Sequence, residues 1–461
     1  MNGPSLRLEH RLAPRIAAFG LWLREHQKLI RTTQWLVVAC YLFLILVPAF
    51  LPLPDDNARI LNNLTTLAQF LFWGIWWPFV LLSMVLIGRS WCGVFCPEGA
   101  LSEWASGLGR GRPIPRWLKW GGWPFVAFCL TTIFGQLVSV YQYPKAALLV
   151  LGGSTVAAMI IGYLYGRAKR VWCRHLCPVN GVFGLLAKLS PFYMQVDRQQ
   201  WNDAPARKVI PINCAPLVDI RRMEGPSECH MCGRCAGHRE AVNLMVRAPN
   251  REIVELTEKQ ASGWDLLLVV YGLLGVAIGA FQWTASPWFI SSKQAAAEWL
   301  VNHEIFWPLA DNAPWWLLTH YAERNDVFTW LDGAMIIAYI CTIAMLLGSW
   351  VLLWLALAAR LQGGNWRANT IRLAYTLTPL AGIGVILGLS ALTVTLLKAE
   401  GISFTWLTPA RFTLLGLAST WSLWLAYRQA KPARRGLSTA LLLTPALGGV
   451  LAMWWLMLVA W

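Results

Sequence analysis

Long apolar stretches recur along the chain, separated by shorter segments rich in charge, proline and glycine. A stretch of about 20 apolar residues without charge is long enough to cross a bilayer as a helix. Nine such stretches occur, and the eighth is the shortest. They are residues 34–53, 67–88, 120–142, 146–166, 264–283, 333–358, 373–397, 412–427 and 438–460. The pattern predicts an all-α polytopic membrane protein with about nine transmembrane helices.

Basic residues are concentrated in alternate segments between these stretches. With a cytoplasmic N-terminus, the cytoplasmic segments contain 33 of the 39 Lys and Arg residues. Such an excess of Lys and Arg is typical of cytoplasmic loops. The pattern therefore predicts a cytoplasmic N-terminus and a periplasmic C-terminus. It attributes the net charge of +16 to topology in a lipid membrane rather than to nucleic-acid binding.

The same pattern divides the chain into four parts. Residues 1–33 are a basic cytoplasmic N-terminus, and residues 34–191 are a membrane domain of four helices. Residues 192–262 are a polar cytoplasmic segment, and residues 263–461 are a C-terminal membrane domain with about five helices. Within that last part, residues 284–331 are rich in tryptophan and are predicted to lie at the periplasmic face, because aromatic side chains favour the membrane interface.

The composition disfavours several classes of protein. The chain is 57% hydrophobic and 13% charged, against roughly 25% charged residues in soluble proteins. None of the nine stretches contains histidine, which disfavours a haem held by two histidines within the membrane. None has an ionisable residue deep inside it, which disfavours an ion pump or transporter. The chain has no P-loop and no dinucleotide-binding glycine motif in a strand–helix context, so electrons for any redox role must come from a partner protein or from quinol.

Eight of the eleven cysteines lie in predicted cytoplasmic segments. In a reducing cytosol such cysteines indicate metal binding or redox chemistry rather than structural disulfides. The other three, Cys40, Cys129 and Cys341, lie singly within apolar stretches and are expected to be small buried side chains.

An element of the form Trp-Cys-x3-Cys-Pro occurs twice, as SWCGVFCPEGA at residues 90–100 and as VWCRHLCPVNG at residues 171–181. Each copy follows a pair of apolar stretches, so the two form an approximate repeat that brings four cysteines together at the cytoplasmic membrane surface. The proline after each second cysteine suits the first turn of a helix, whose dipole is expected to lower the pKa of the preceding thiol. We call this set the twin site: Cys92, Cys96, Cys173 and Cys177.

Four converging thiolates favour a second redox site that holds either an iron–sulfur cluster or copper, since both accept soft sulfur ligands. A disulfide or thiol relay is an alternative, and so is a simple turn. His175, inside the second element, is a weaker candidate for a ligand or a proton carrier; the other interpretation is a polar loop residue near the lipid headgroups.

The polar cytoplasmic segment contains Cys229, Cys232 and Cys235 in C-x2-C-x2-C spacing, which supplies three of the four thiolates of a [4Fe–4S] cluster. Cys214 lies in CAPLVDIR, which resembles the C-P-x-G-I-D-I-R that ends the first motif of a two-cluster ferredoxin. Residue 239, where a local fourth cysteine would fall, is Arg239.

Residues 210–240 therefore resemble a ferredoxin that has kept one complete set of ligands. We call this set the loop site: Cys214, Cys229, Cys232 and Cys235. A zinc site is the alternative, with His230 or His238 as a further ligand. Nearby arginines are expected to stabilise an anionic cluster and to dock an acidic donor. They are Arg221, Arg222, Arg234 and Arg239.

The twin site and the loop site together resemble a known group over about residues 35–260. It comprises the NapH- and NosR-type membrane ferredoxins of nitrate and nitrous-oxide respiration and the CcoG/FixG cytochrome-oxidase accessory proteins. The resemblance implies electron transfer at the bacterial inner membrane, and for the CcoG branch it implies Cu(II) reduction for oxidase assembly. The five C-terminal stretches have no counterpart in this resemblance.

The expected function is a relay of electrons between a cytoplasmic or quinone donor and a membrane or periplasmic redox partner. Candidate partners are a periplasmic reductase, a flavoprotein or an oxidase. Two alternatives remain open. One is a cupric reductase or assembly factor for a respiratory metalloenzyme, and the other is a non-redox membrane scaffold with a structural cluster.

Overall fold

The computed structural model describes residues 4–55, 57–203 and 211–461, with side chains from residue 13 onward. Residues 1–3 of the predicted N-terminal segment and residues 204–210 of the predicted cytoplasmic segment lie outside the described residues. The chain forms two compact units, each built from several parts of the sequence. The first contains residues up to 44, 79–124 and 153–256, and the second contains residues 45–78, 125–152 and 257–461.

Helices account for most of the described chain. In order they are α1 (Pro4–Glu25), α2 (Gln27–Ala49), α3 (Leu64–Ile87), α4 (Pro97–Gly107), α5 (Trp123–Leu137), α6 (Pro144–Leu164), α7 (Val171–His175), α8 (Asn180–Ala187), α9 (Arg198–Asp203), α10 (Arg251–Val254), α11 (Gly263–Gln282), α12 (Pro287–Asn302), α13 (Trp330–Gln362), α14 (Trp366–Ala399), α15 (Leu407–Ala430) and α16 (Gly436–Ala460). The strands form two antiparallel pairs: β1 (Phe192–Val196) with β2 (Val242–Val246), and β3 (His320–Tyr321) with β4 (Asp326–Val327).

Seven of the described helices are long and apolar enough to cross a membrane: α2, α3, α6, α11, α13, α14 and α16. The multi-pass prediction is therefore confirmed, whereas the count of nine is not. The third predicted span became α5, whose 15 residues reach only about 22 Å, less than the bilayer core of about 30 Å. The eighth became α15, which has 24 residues but includes Arg411 and is less apolar than the seven.

The sequence predicted that the three cysteines within the apolar stretches are buried, and this prediction is wrong for two of them. Cys40 and Cys341 are exposed on the chain, and Cys129 is half-buried and lies near Cys341 rather than alone. A side chain on the outside of a membrane helix meets lipid instead of water, so its exposure has no hydrophobic cost. An apolar pattern therefore cannot separate lipid-facing positions from buried ones.

The first unit contains both predicted cysteine sites. In this unit α4 packs against α6. The polar part is organised by the β1–β2 ribbon, in which Phe192 lies opposite Val246 and Val196 opposite Val242. One face of the ribbon packs into a hydrophobic cluster that also includes Cys229 and, at its edge, Cys214 and Cys235. The ribbon thus supports the loop that carries three of the loop-site cysteines.

The largely buried carboxylate of Glu252, on α10, holds the entrance of that loop. It pairs with Lys188 Nζ at 2.9 Å and with Arg247 Nη2 at 2.8 Å, and it accepts a hydrogen bond from Ser227 Oγ. Burial by itself raises the pKa of Glu252, but the charges of Lys188 and Arg247 and the bond from Ser227 outweigh it and lower the pKa to about 2. The carboxylate stays charged and fixes Ser227, two residues before Cys229.

This ion-pair network predicts a loss of local stability in acid. An unfolded Glu has a pKa of about 4.3, so the stability that Glu252 contributes is complete above that pH and is lost as the pH falls toward about 2. In metal-free protein, amide protection of residues 223–232, corrected for intrinsic exchange, should fall across this window. The Glu252→Gln variant should lack the fall, and an equally steep fall in that variant would contradict the assignment.

The second unit is built around α13, which packs against α11 and α16. A capping box starts this helix: the Thr329 side chain accepts the N–H of Asp332, and the Asp332 carboxylate accepts the N–H of Thr329 at 2.9 Å. Beside the β3–β4 ribbon, Tyr143 and Tyr321 stack with ring centroids 3.6 Å apart, and Tyr143 Oη donates to Asp326 at 2.6 Å. These contacts fix the start of α13 and hold Tyr143, the residue before α6, against the β3–β4 ribbon.

Candidate metal centres

The loop site is assembled from two separate parts of the first unit. Cys214 lies in a turn in which the N–H of Leu217 donates to the Cys214 carbonyl oxygen at 3.3 Å. The other three cysteines follow on the loop that leads to β2. All four side chains line one pocket, whose remaining walls are mostly apolar and include Met194, Val218, Ile220 and Met223. The structure therefore brings the predicted ligands together.

The loop that carries the last three cysteines has an irregular backbone. Met231, Gly233, Gly237 and Arg239 all have left-handed φ values, from 53° to 74°. Such residues turn successive N–H groups toward one side and form concave surfaces that suit anions. Arg239 itself turns away from the pocket, with its guanidinium 5.3 Å from the centre of the Trp201 ring.

Of the four arginines expected near the cluster, Arg234 lines the pocket. Its Nη1 pairs with Glu103 Oε1 at 2.7 Å. Arg221 and Arg222 are exposed to solvent, and the Arg239 guanidinium packs over the Trp201 ring. Arg234 is therefore placed to affect a bound cluster, while Arg221 and Arg222 face solvent, bonded to Asn202 and Asp219.

Burial raises the pKa of three loop-site thiols, those of Cys214, Cys229 and Cys235. The pKa of Cys229 lies well above its usual range because of burial and repulsion from Cys235 and Cys232, although the N–H of Met231 donates to its Sγ at 3.3 Å. Burial, with Cys232 and then Cys214, raises the pKa of Cys235 to about 12. In the metal-free protein these thiols are neutral at pH 7, so a bound metal must displace their protons.

The two elements of the twin site share a backbone turn, although Trp91–Phe95 is a π-helix and Val171–His175 is an α-helix. In each, the N–H of the second cysteine donates to the tryptophan carbonyl five residues earlier: Cys96 to Trp91 at 2.8 Å, and Cys177 to Trp172 at 3.0 Å. Pro97 begins α4 with Cys96 as its N-cap, as predicted. The same prediction is wrong for the second element, because α8 begins only at Asn180, after a turn at Pro178 and Val179. The sequence repeat is therefore repeated in the backbone turn before each second cysteine, but not in the helices around it.

The four twin-site thiols lie close together. Cys96 is near enough to Cys173 and Cys92 to interact with them electrostatically, and so is Cys177 to Cys173 and Cys96. Burial, followed by the proximity of these thiols and of Glu98, raises the pKa of Cys96 and of Cys177 well above the usual range. The prediction that the helix dipole lowers these pKa values is wrong, because burial beside other acidic groups outweighs a helix-end charge of about half a unit.

Sequence reasoning missed two arginines, one in each element. Arg89 and Arg170 precede the first cysteine by three residues and are only 4% and 2% exposed. Arg170 Nε pairs with Glu103 Oε2 at 2.8 Å and its Nη1 donates to the Cys92 carbonyl, while Arg89 Nη2 lies 3.9 Å from Cys92 Sγ. The signal was available, because both copies read Arg-x-Trp-Cys-x3-Cys-Pro.

Glu98 is a third side chain that the sequence did not single out. It follows Pro97 in the first element and accepts hydrogen bonds from Ser154 Oγ and, at 3.2 Å, from Trp172 Nε1 of the second element. Burial raises the pKa of Glu98, and these two bonds offset only part of that rise. The carboxyl group ties the two elements together.

The residues present fit anionic iron–sulfur clusters. Arg170 Nη2, Arg89 Nε and His230 Nδ1 are buried and have no hydrogen-bond partner within the part of the chain that the structure describes. The two arginine nitrogens are donors, and unpaired buried donors are costly, so the sulfur atoms of a cluster would supply acceptors for them. Among the described residues, no three His, Cys, Asp or Glu side chains are close enough to bind a single metal ion. A cubane binds each thiolate at a different iron and therefore requires more widely spaced sulfur atoms.

The histidines differ in their surroundings. His175 is half-buried, and its burial, together with the charges of Arg174 and Lys119, lowers its pKa to about 4. His230 lines the loop-site pocket, and burial lowers its pKa well below the usual range. His238 is buried outside that lining, with its pKa also lowered by burial.

Comparison with known proteins identifies a cluster-binding domain in the membrane part of the chain. The family described as 4Fe-4S binding domain (Fer4_5) matches residues 69–115 and 148–193. Each matched segment contains one copy of the Trp-Cys-x3-Cys-Pro element, and the loop site lies outside both.

Three relatives share part of the chain. YccM of Escherichia coli (strain K12) is 24% identical over 233 residues, which are 44% of this chain and 62% of that protein. The ferredoxin-type protein NapH of Haemophilus influenzae is 26% identical over 34% of this chain and 61% of its own length. The methylamine utilization ferredoxin-type protein MauN of Methylorubrum extorquens is 30% identical over 24% of this chain and 42% of its own.

The chain thus spans less than two thirds of the length of these relatives. No solved structure matches it with significance. The predicted resemblance to NapH- and NosR-type proteins is confirmed for the part compared. Over that part, the chain is a homologue of the ferredoxin-type membrane proteins of electron transport and contains a 4Fe-4S binding domain.

Proposed function

We propose that this protein relays single electrons at the bacterial inner membrane, from a cytoplasmic or quinone donor to a membrane or periplasmic redox partner. The observation that carries the proposal is the convergence of four thiols, from positions 214 to 235, on one pocket. This pocket belongs to a chain homologous to membrane electron-transport proteins. A pocket lined by four cysteines and few other polar groups suits a cluster better than a hydrolytic metal site.

Two clusters are proposed for each chain. The loop site holds one [4Fe–4S] cluster on the cytoplasmic side, and the twin site holds a second. The match of a 4Fe-4S binding domain to both copies of the repeated element favours iron over copper at the twin site. When bound, such a cluster takes up and releases one electron.

The protein's own residues make this exchange favourable. The apolar lining of the loop-site pocket limits water around the four sulfur atoms, and limited solvent access is one of the factors that set the potential of a cluster. Buried Arg89 and Arg170 oppose the negative charge that a cluster gains on reduction. Exposed Arg221 and Arg222 supply positive charge to attract an acidic donor.

Orientation and partners follow from the distribution of charge and helices. The excess of Lys and Arg beside both sites favours a cytoplasmic location for them and for the N-terminus, with a periplasmic C-terminus. Residues 263–461 are proposed to dock the membrane partner. Exposed Trp288, Trp299 and Trp307 would place the segment around α12 at the periplasmic interface.

The test is anaerobic purification followed by measurement of iron, sulfide, copper and zinc, and by EPR spectroscopy before and after reduction with dithionite. The proposal predicts iron and sulfide with signals that appear on reduction. Copper that requires the twin-site cysteines would instead favour the cupric reductase, and a cluster that cannot be reduced would favour the scaffold. Zinc without iron would refute the relay.

A further inference from the structure

A single helix holds the loops of both cysteine sites. Gln27 and Gln34 lie two turns apart on one side of α2. Gln34 Nε2 donates to the Gly93 carbonyl oxygen of the twin site at 2.8 Å, and Gln27 Nε2 donates to the Cys232 carbonyl oxygen of the loop site at 3.0 Å. Two backbone carbonyls from different sites are thus fixed against the same rigid element.

The two loops also touch each other directly. A Cβ atom added to Gly93 would lie 1.9 Å from the carbonyl oxygen of His230 and 2.9 Å from the backbone nitrogen of Cys232. Such distances are far below any real contact, so only glycine permits this approach. Gly93 directly follows Cys92 in the chain. At this contact the backbone next to Cys92 therefore lies against the backbone of Cys232, with no side chain between them.

A chain of charges, buried at Arg170 and partly buried at Glu103 and Arg234, spans the same gap. Arg170 Nη1 donates to the Cys92 carbonyl, and its Nε pairs with Glu103 Oε2 at 2.8 Å. The other oxygen of Glu103 pairs with Arg234 Nη1 at 2.7 Å, and Arg234 lines the loop-site pocket. The backbone N–H of Arg170 donates to the Ala215 carbonyl at 2.7 Å, beside the fourth loop-site cysteine.

We propose that the contact of Gly93 with His230 and Cys232 is the electron path between the two sites, and that Arg170 is a positioning residue shared by both. This inference rests on the proposed function, because it requires a redox centre at each site. One electron leaves the reduced site and enters the oxidised one. No bond forms or breaks, and the fixed charge of Arg170 acts on both sites at once.

Magnetic interaction between the two reduced centres provides the first test, measured by EPR on fully reduced, anaerobically purified full-length protein. Two centres in contact through Gly93 should give a spectrum split or broadened beyond the sum of the separate spectra. Those separate spectra come from two variants, each with serine at the four cysteines of one site. Gly93→Ala should weaken the interaction. Gly107→Ala is the matched control, because Gly107 is a glycine of the same unit with open space around it.

If Gly93→Ala does not assemble, Arg170→Gln supplies a second variant with a different readout. Loss of a shared cation should shift the reduction potentials of both sites downward together. Arg198→Gln removes an exposed arginine paired with Glu224 and should shift neither.

The results distinguish failure of the proposed electron path from failure of the relay on which it rests. Iron for two clusters with simply additive spectra, or a potential shift at one site alone, would overturn the inference and leave the relay intact. Iron for a single cluster would remove the second centre and with it the inference. Interaction that weakens in Gly93→Ala but not in Gly107→Ala supports the path.

Discussion

The variant with serine at all four cysteines of the twin site is expected to lose half of its iron, falling from about eight to about four atoms per chain. The reciprocal variant of the loop site should lose the other half. Each site draws its ligands from its own loops, and no cysteine belongs to both. The hard oxygen of serine is a poor ligand for a cluster that favours soft thiolates, and all four ligands are replaced, so the loss should be complete at the altered site. Iron and acid-labile sulfide in anaerobic preparations measure it.

The matched control is the variant with serine at Cys40, Cys129 and Cys341. These residues lie within apolar helices, away from both sites in sequence, and two of them are exposed. The control should keep about eight irons per chain, the number expected for two [4Fe–4S] clusters. A preparation in which either quadruple variant loses all iron would mean that one site cannot assemble without the other. A twin-site variant with unchanged iron would limit the chain to one cluster.

The loop site could be predicted because its information is local. Three cysteines at intervals of three residues already define a ligand loop, and the fourth was recognised from the sequence that surrounds Cys214. The structure brings these four together as expected. The membrane helices were predicted for a similar reason, since an apolar run of sufficient length is visible without tertiary contacts.

The contacts between the sites could not be predicted, because they join positions distant in sequence. Glu103 pairs with Arg170 and Arg234, which lie 67 and 131 positions further along the chain. The pKa of Cys96 was predicted in the wrong direction for the same reason. A helix N-terminus can be read from Pro97, whereas the crowding of acidic groups around the thiol appears only after folding.

Replacing Glu252 with glutamine is expected to open the entrance of the loop site. Gln keeps the shape but leaves Lys188 and Arg247 without their buried counter-charge. Breaking a buried ion pair by removing one partner typically costs about 3–5 kcal/mol. Ser227, two residues before Cys229, loses its bond to a carboxylate as well. Amide exchange of residues 223–232 should accelerate strongly, and loop-site iron should be released faster to a chelator.

Glu224→Gln is the matched control for that variant. Glu224 lies closer to Cys229 in sequence and pairs with Arg198 at 2.7 Å, but both side chains are more than half exposed. An exposed pair contributes only about 0–1 kcal/mol, so exchange and iron release should stay near the wild-type rates. If both variants behaved alike, net charge near the loop would be the cause. If only Glu252→Gln accelerates both processes, the buried carboxylate holds the cysteine loop in its ligand-binding form.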